Sequence, residues 1–473
     1  MNRKILSGNN IKKTLHYLQK NGIRHTYYAA RERIEEEKKT VYYYKEPENK
    51  QLELQRTDSR NFPYRFTIVV PAYETKEVFL CDLIDSVQRQ SYENWELIIA
   101  DASESDRVEK VVLPYREKDG RFHYLRLQEN KGIAENTNAG IEKAAGDYIA
   151  LLDHDDVLAP DALYEMAAAI NHAEKTGKAP VMIYSDEDKF EESDLTSEKK
   201  FHYMVPNRKN EFNLDLSLSN NYICHLMMVE SGLLKTLKLR KEYDGAQDYD
   251  CVLRIISHLL SAGKAKDVKE SIIHVPKVLY HWRCHADSTA DNTASKMYAY
   301  EAGKKALEDF CKSRGWDVQV THSLHLGFYQ ITYHPDMFTV RPDVGIIGGR
   351  ILDRHNKIAT GIYDENGDRL YMGLHKEYSG GATHRAALMQ DCAAVDIRCM
   401  RIRKELYPLF KEITGVSYKE AGEQKLADVS MISCDEAGYR KLSMEFCRTA
   451  AEMDYLTVWD PRISIKLKGE LTK

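Results

Sequence analysis

Short, fully apolar runs alternate with helix-spaced stripes of hydrophobic residues in the N-terminal half of the chain. The runs at 66–70, 95–100 and 148–152 are typical of strands buried on both faces of a parallel sheet. Between them, residues 80–87 and 133–145 place their apolar positions on one helix face. This order of strand, helix, strand, helix, strand predicts an α/β fold with a right-handed parallel sheet.

Residues that could bind a ligand or take part in catalysis follow each predicted strand. Pro71 and Tyr73 come after the first strand, and Asp101 ends the second. Asp153 and Asp155 come after the third. Because ligands bind beyond the carboxyl ends of parallel strands, we expect these residues to share one rim of the sheet.

The third strand runs directly into the acidic turn Asp153-His154-Asp155-Asp156. Burying an unpaired carboxylate is costly, so acids this close together should face a cleft and share a cation. Asp153 and Asp155 are two residues apart and can point to the same side, which suits one divalent ion completed by water and substrate phosphates. The alternative is a solvated acidic turn that caps the helix after Pro160.

Three later segments carry further candidate residues. A predicted strand at 181–188 ends in acids that form either a hydrated turn or an acceptor-binding site. Asp248 begins a helix, where the helix dipole stabilises its anion; it is either a base for an attacking hydroxyl or a helix cap. Arg283 and His285 follow a strand and offer a diphosphate clamp and a metal ligand, with His281 as a second histidine.

The usual nucleotide-binding loops are absent from the sequence. The turn after the first strand, Pro71-Ala-Tyr-Glu-Thr-Lys76, has no glycine that would let the backbone approach a pyrophosphate. This argues against a dinucleotide-binding domain and a sugar nucleotidyltransferase, and the chain has no Walker loop. A bound diphosphate would therefore need a metal for charge neutralisation.

Composition narrows the class of protein further. With 473 residues, 30% charged and 43% hydrophobic, the chain should fold into two domains plus an extension. A formal net charge of −5 argues against nucleic-acid binding. The nine cysteines are scattered without a Cys-x-x-Cys pair, which favours a reducing compartment and no zinc site. No apolar run reaches the length of a signal-peptide core or a membrane span, so we expect a cytoplasmic protein.

The N-terminal segment contains one ambiguous helix. Ile23, Tyr27, Ala30 and Ile34 recur at helical spacing among basic residues. The stripe either packs on the main domain or lies on an anionic membrane surface, and the acids at 35–37, which dilute the basic face, favour packing.

Six segments occur in a fixed order within about residues 65–320. They are Ile-Val-Val-Pro-Ala-Tyr, Ile-Ile-Ala-Asp-Ala-Ser, Asn-Lys-Gly-Ile-Ala-Glu-Asn-Thr-Asn, Leu-Leu-Asp-His-Asp-Asp, Gln-Asp-Tyr-Asp and Tyr-His-Trp-Arg-Cys-His. Together they resemble glycosyltransferase family 2, inverting nucleotide-sugar transferases with the GT-A fold. The stretches Tyr-Ser-Asp-Glu-Asp-Lys and Tyr-His-Trp-Arg are similar to bacterial members that build rhamnose-containing or related surface polysaccharides.

The resemblance implies a role for each matching residue. Asp248 would be the catalytic base, and Asp153, Asp155 and His285 would hold Mg²⁺ or Mn²⁺. The implied nucleotide-sugar-binding residues are Pro71, Tyr73, Asp101, Asn138, Asp153 and Arg283. Two positions depart from the family pattern, because Gln247 stands where a glutamate is common and Asn136-Thr137 replaces a frequent arginine.

The C-terminal part resembles a truncated second copy of the same domain. Residues 342–361 are similar to the segment that follows the metal motif, and residues 392–399 and 435–442 are similar to the later acceptor half. No second acid cluster precedes them. We therefore expect a helical extension at 1–60, a GT-A domain at 61–320, and a smaller non-catalytic α/β domain at 321–473 that holds acceptor or partner.

The resulting expectation is a metal-dependent inverting glycosyltransferase in cell-surface polysaccharide synthesis. Its donor would be a dTDP- or UDP-linked sugar, and its acceptor a glycan or a lipid-linked glycan at the inner face of the membrane. Peripheral membrane contact and other polysaccharide-synthesis enzymes as partners fit this function. The alternative is a catalytically inactive sugar-binding or scaffolding protein.

Overall fold

The computed structural model describes residues 8–37, 42–193, 200–263, 265–285 and 297–467. The α-helices of these residues are α1 (Gly8–Glu37), α2 (Asn49–Asp58), α3 (Glu77–Gln88), α4 (Arg107–Lys118), α5 (Ile133–Lys143), α6 (Ala162–Lys175), α7 (Leu214–Ser217), α8 (Ser231–Leu237), α9 (Gln247–Ala262), α10 (Ala265–Ser271), α11 (Met297–Ser313), α12 (Met337–Val340), α13 (Tyr407–Thr414) and α14 (Glu436–Glu452).

The β-strands belong to one large sheet, one smaller sheet and several short hairpins. They are β1 (Phe66–Ala72), β2 (Trp95–Asp101), β3 (Phe122–Arg126), β4 (Tyr148–Leu151), β5 (Val157–Leu158), β6 (Met182–Glu192), β7 (Phe201–Asn207), β8 (Met227–Glu230), β9 (Ile272–Arg283), β10 (Val318–His322), β11 (Tyr329–Tyr333), β12 (Val344–Leu352), β13 (Ile358–Thr360), β14 (Ile362–Tyr363), β15 (Gln390–Asp391), β16 (Ala394–Val395), β17 (Met400–Ile402), β18 (Glu420–Ala421), β19 (Leu426–Ala427) and β20 (Leu456–Lys466).

The chain forms two compact units. The large unit comprises Val41–Phe212 and Asn221–Phe310, and the small unit comprises Met1–Thr40, Asn213–Asn220 and Cys311–Lys473. The N-terminal residues and an eight-residue insertion therefore cluster with the C-terminal part, which the expected division at residues 61 and 320 did not foresee.

The sheet of the large unit has the strand order β3-β2-β1-β4-β8-β6-β9-β5, with β7 paired to β6. β1 is parallel to both β2 and β4, so their carboxyl ends lie at one edge. β8 is antiparallel to β4 and β6, and β6 is parallel to β9. This mixed sheet flanked by helices confirms the predicted α/β, GT-A-type fold class.

Gly146 shows how tightly the acidic strand is joined to the core of the large unit. A Cβ at this position would lie 2.7 Å from the carbonyl oxygen of Arg65 and 2.7 Å from the amide nitrogen of Thr67. Only glycine lets the chain pass this close to β1. The strand that follows, β4, is buried along most of its length and carries the acidic turn at its end.

The small unit repeats part of the large unit's strand arrangement. Its strand β12 pairs antiparallel with β13 and β17 and parallel with β20, as β6 does with β7, β8 and β9. These strands also follow one another along the chain in the same order, and the long helix before the parallel strand is α14 in the small unit and α9 in the large unit.

Helix α1 is held in the small unit by a polar face. The Glu32 carboxylate accepts hydrogen bonds from the backbone amides of Ser379, Gly380 and Gly381 at 2.7–3.1 Å. The predicted stripe is not the packing face, since Ile23 is 80% exposed and Tyr27 57% exposed. No helix of the described residues is both long and apolar enough to cross a bilayer.

Candidate functional site

A cavity of about 540 Å³ opens at the carboxyl ends of β1 and β4 in the large unit. We call it the cleft. Five of the predicted site residues line it: Pro71, Tyr73, Asp153, Asp155 and His285. The parallel pairing of β1 with β4 brings the first two together with the two aspartates. Further lining residues that the sequence analysis did not select include Lys76, Asn136, His154 and Trp282.

The acidic turn supplies candidate metal ligands. His285 Nε2 lies 3.0 Å from Asp155 Oδ2. Enclosure in the cleft and the charges of Asp155 and Asp248 raise the pKa of Asp153, although nearby His225 counteracts them. Carboxylate and imidazole groups are ligand types that bind Mg²⁺ or Mn²⁺, and an ion at Asp155 and His285 would relieve the repulsion between Asp153 and Asp155.

Asp156, the third acid of the turn, has a different role. It is fully buried and accepts hydrogen bonds from Tyr280 Oη and, at 2.7 Å, from the backbone amide of Arg283. Burial raises its pKa well above the usual range, as do the charges of Asp155 and Asp153. Asp156 therefore fixes the turn against β9 and leaves its two neighbours for the cleft.

Asp248 is the second residue of α9. Asn221 Nδ2 donates a hydrogen bond of 2.9 Å to its Oδ2 atom. Its carboxylate lies within 4.8 Å of a ring nitrogen of His225, and His225 Nε2 is 3.6 Å from Asp153 Oδ2. Asp248 is not among the residues that line the cleft, and its expected role as the base stays a prediction.

His225 lies between these two carboxylates and was not selected from the sequence. Its Nε2 is 3.6 Å from Asp153 Oδ2, and its Nδ1 is 3.3 Å from Glu187 Oε2. Potential metal-ligating atoms of Cys224, His225 and Asp248 lie within 4.8 Å of one another. A facing carboxylate on each side of the ring favours protonation of both nitrogens, so His225 adds positive charge between Asp153 and Asp248.

Burial of Glu187 disfavours its charge, but Lys209 and His225 outweigh this and lower the pKa of Glu187 to about 2. Lys209 is itself buried and donates a 3.0 Å hydrogen bond to the carbonyl of Ile223. Glu187 is therefore an anion that anchors the segment carrying His225.

Asp101 and Asn138 are held by protein partners outside the lining of the cleft. Asp101 is fully buried and accepts hydrogen bonds from Tyr124 Oη at 2.7 Å and Arg126 Nη1 at 3.0 Å. The Asn138 side chain makes two 2.8 Å hydrogen bonds to the backbone of Leu239. Their expected contact with a nucleotide sugar stays a prediction. Ile133 and Asn136, on the same helix α5 as Asn138, line the cleft.

Arg283 has a different position from the one expected for a diphosphate clamp. It is 1% exposed, and its guanidinium donates hydrogen bonds to Asp82 Oδ2 at 2.9 Å and to the carbonyl of Asp155 at 2.6 Å. The rings of Phe79 and Phe190 lie 4.5 and 4.6 Å from it. Its physical role is to hold the backbone of the acidic turn.

His281 is likewise buried outside the cleft. Its Nδ1 lies 2.6 Å from Asp188 Oδ1, and its ring packs against Tyr44 and Tyr203. The acids of the predicted 181–188 segment are therefore part of strand β6 and its ion pairs, in place of the hydrated turn considered from the sequence.

Comparison with known proteins identifies the domain. Residues 67–237 match the model of Glycosyl transferase family 2. This part of the chain is a glycosyltransferase family 2 domain.

Three relatives illustrate the similarity. The chain is 38% identical over 245 residues to the uncharacterized protein y4gI of Sinorhizobium fredii, covering 51% of this chain and 25% of that protein. It is 28% identical over 257 residues to the O-antigen biosynthesis protein RfbC of Myxococcus xanthus, covering 54% and 18%. It is 26% identical over 237 residues to the putative glycosyltransferase EpsH of Bacillus subtilis, covering 49% and 64%. The chain thus spans less than two thirds of each of these relatives.

Similar solved structures include TarS residues 1–349 of S. aureus with UDP, at 16% identity and a TM-score of 0.38, covering 52% of this chain and 65% of that one. Another is the mannosyltransferase PcManGT of Pyrobaculum calidifontis with GDP-Man and Mn²⁺, at 14% identity and a TM-score of 0.36, covering 56% and 81%. At these scores the superpositions assign no role to any residue of this chain.

Proposed function

We propose that this protein is a metal-dependent inverting glycosyltransferase that moves a sugar from a nucleoside diphosphate to a glycan or lipid-linked acceptor in polysaccharide synthesis. The observation that carries the proposal is the meeting of Asp153, Asp155 and His285 in one cleft, with His225 in contact with Asp153 and close to the Asp248 carboxylate. A family 2 domain supplies the reaction class, and these residues supply the chemistry.

Each residue has a defined part in the reaction. Asp155 and His285 would hold the cation, with Asp153 beside them, and Pro71 and Tyr73 would bound the nucleotide side of the cleft. A bound Mg²⁺ or Mn²⁺ neutralises charge on the diphosphate leaving group. Asp248 accepts the proton of the acceptor hydroxyl as its oxygen bonds to the anomeric carbon and the bond to the diphosphate breaks. A single displacement inverts the anomeric configuration.

We propose that the small unit is the truncated, non-catalytic second copy expected from the sequence. The pairing of β12 with β17 resembles that of β6 with β8; in this register Arg398 corresponds to His225, and Glu436 begins α14 as Gln247 begins α9. Arg398 is 10% exposed and bridges Asp396 and Glu436, at 2.8 Å to Asp396 Oδ2. The described residues of this unit offer no equivalent of the acidic turn, which supports a role in holding acceptor or partner.

The main alternative is a sugar-binding scaffold without activity. Thermal unfolding with UDP, dTDP or GDP, each with and without Mn²⁺, separates the two functions. At a concentration of 100 times Kd, bound nucleotide adds about 2.7 kcal/mol to the free energy of unfolding. We expect stabilisation only with nucleotide and Mn²⁺ together.

Matched variants locate this binding. Asp155→Asn should remove the Mn²⁺-dependent stabilisation, whereas Glu117→Gln, an exposed acid on α4, should keep it. Stabilisation by free glycans but by no nucleotide would favour the scaffold, and an unchanged response of Asp155→Asn would remove the acidic turn as the metal site.

A further inference from the structure

A second cavity of about 400 Å³ lies in the large unit, beneath the extended segment 42–48 that we call the tyrosine strap. Tyr42, Tyr43 and Tyr44 line it together with Pro276, Val278 and Leu279 of β9. The catalytic proposal uses none of these residues. The volume is within the range of small-molecule sites. The rest of the lining is mostly polar: Lys45, Glu46, Pro47, Glu48, Gln51, Asp161, Arg208 and Lys277.

The strap is fixed to the sheet by two of its three tyrosines. Tyr42 Oη donates a 2.8 Å hydrogen bond to Asp188 Oδ2. The Tyr44 ring lies 4.4 Å from the ring of His281 and 4.8 Å from that of Tyr203. Tyr43, which also lines the cavity, is 81% exposed, so its large flat ring has nearly all of its surface in solvent. Exposing such a ring on a fixed segment is typical of a binding surface.

Two polar groups of the cavity lack a partner that their chemistry would normally have. The Tyr44 hydroxyl is buried, with no hydrogen-bond partner among the described residues. Asp161 is only 6% exposed, and beyond its own backbone no described residue donates a hydrogen bond to its carboxylate. Burial and the neighbouring Glu165 raise the pKa of Asp161. Buried polar groups are usually hydrogen-bonded, so the Asp161 carboxylate points to a ligand that donates hydrogen bonds.

Charge selects the class of ligand. The three cations that line the cavity are each paired: Lys277 Nζ lies 2.6 Å from Glu165, Arg208 lies 3.3 Å from Asp186, and Lys45 Nζ lies 3.7 Å from Glu48. The remaining carboxylate, Asp161, would repel an anion. A neutral molecule with many hydroxyl groups and one apolar face fits the flat ring, the apolar β9 residues and the hydrogen-bond acceptor together.

We propose that the tyrosine-strap cavity binds neutral sugar units of the acceptor glycan. The proposal rests on the glycosyltransferase function above and adds a second contact for the acceptor. Val278 in this cavity and Trp282 in the cleft are both on β9, four residues apart, which corresponds to about 13 Å along the strand. An oligosaccharide is long enough to span that distance, which a single sugar is not.

Saturation-transfer NMR on the full chain tests the proposal. The probes are cellobiose, maltose, lactose, chitobiose and methyl rhamnoside, each at millimolar concentration. We expect at least one to bind with Kd unchanged by saturating UDP and Mn²⁺ and unchanged in Asp155→Asn. Tyr43→Ala should weaken that binding at least tenfold, while Tyr43→Phe should keep it, because the ring and not the hydroxyl makes the contact.

The controls separate failure of this inference from failure of the proposed function. Tyr27→Ala removes a tyrosine that is 57% exposed in the small unit and should leave sugar binding unchanged. Absence of binding for every probe, or equal binding by Tyr43→Ala, would overturn the strap site even if the protein transfers sugar. Binding that disappears with UDP and Mn²⁺ would place the sugar in the cleft and also overturn it. Transfer activity is measured separately and decides only the proposed function.

Discussion

Replacing Arg283 by methionine distinguishes a structural support from a substrate contact. In the structure the guanidinium is 1% exposed and bonded to Asp82 and to the carbonyl of Asp155. Removing one partner of a buried ion pair costs about 3–5 kcal/mol, because the other charge is left unpaired. Lys200 also pairs with Asp82, so we expect the lower part of this range.

The same substitution should weaken the metal site indirectly. Arg283 holds the backbone of Asp155, and loss of such an outer contact to a ligand typically lowers metal affinity by about 10–100-fold. Urea denaturation gives the change in unfolding free energy, and titration with Mn²⁺ in the presence of UDP gives the change in metal affinity.

Lys200→Met is the matched control for Arg283→Met. Lys200, the other partner of Asp82, has a side chain that is 61% exposed, so Lys200→Met should change the stability by at most about 1 kcal/mol. If Arg283→Met kept the stability and the Mn²⁺ affinity but lost affinity for UDP at saturating Mn²⁺, Arg283 would contact the diphosphate after all.

Three further substitutions test other parts of the structure. Asp248→Asn should lower transfer about 10²–10⁴-fold with unchanged affinity for Mn²⁺ and UDP, measured by initial rates and calorimetry; loss of nucleotide affinity instead would argue against its role as a base. Glu187 has a pKa of about 2 in the folded protein and about 4.3 in the unfolded chain, so its anion stabilises the fold above about pH 4.3. The free energy of unfolding should therefore fall as the pH drops from about 4.3 to 2. Glu187→Gln should flatten that fall in acid-denaturation curves. Arg341→Met should lower the free energy of unfolding of the small unit by about 3–5 kcal/mol, because it leaves the buried Asp215 unpaired. Adding Asp215→Asn should recover much of that loss. No recovery in the double variant would refute the pairing.

The local pattern of apolar residues was sufficient to predict the strands that position the acidic turn. The apolar runs predicted β1, β2 and β4, and their parallel order put Tyr73, Asp153 and Asp155 at one edge. The helix expected at 133–145 ends at Lys143, two residues early, and the chain then runs past β1 at Gly146. These features depend on residues close together in sequence, so the sequence carries them.

The direction of individual side chains was harder to predict. Arg283 and Asn138 occur in motifs that resemble donor-binding residues, yet each is turned into the protein by partners far away in sequence. Asn221 and His225 were missed because the sequence does not indicate that antiparallel β8 lies between β4 and β6. The segment before β8 places Asn221 against Asp248 and His225 against Asp153. Such placements depend on long-range pairing, which a local pattern does not contain.

The insertion Asn213–Asn220 was also invisible to the sequence analysis. It lies within the expected GT-A domain, yet its contacts are with the C-terminal residues of the small unit. Asn213 donates to the carbonyl of Asp391 at 2.7 Å and accepts from its amide at 2.9 Å, and Asp215 pairs with Arg341. Only complementary polar groups more than a hundred residues away explain why this segment leaves its neighbours in sequence.

The most direct measurement of the central claim is an NMR assay of sugar transfer by the full chain, run with Mn²⁺, a panel of nucleotide sugars and candidate glycan acceptors. The proposal predicts a product whose anomeric configuration is opposite to that of the donor, formed by the wild-type protein and not by Asp248→Asn. A product with the donor's configuration, or equal product from Asp248→Asn, would contradict a single displacement assisted by Asp248.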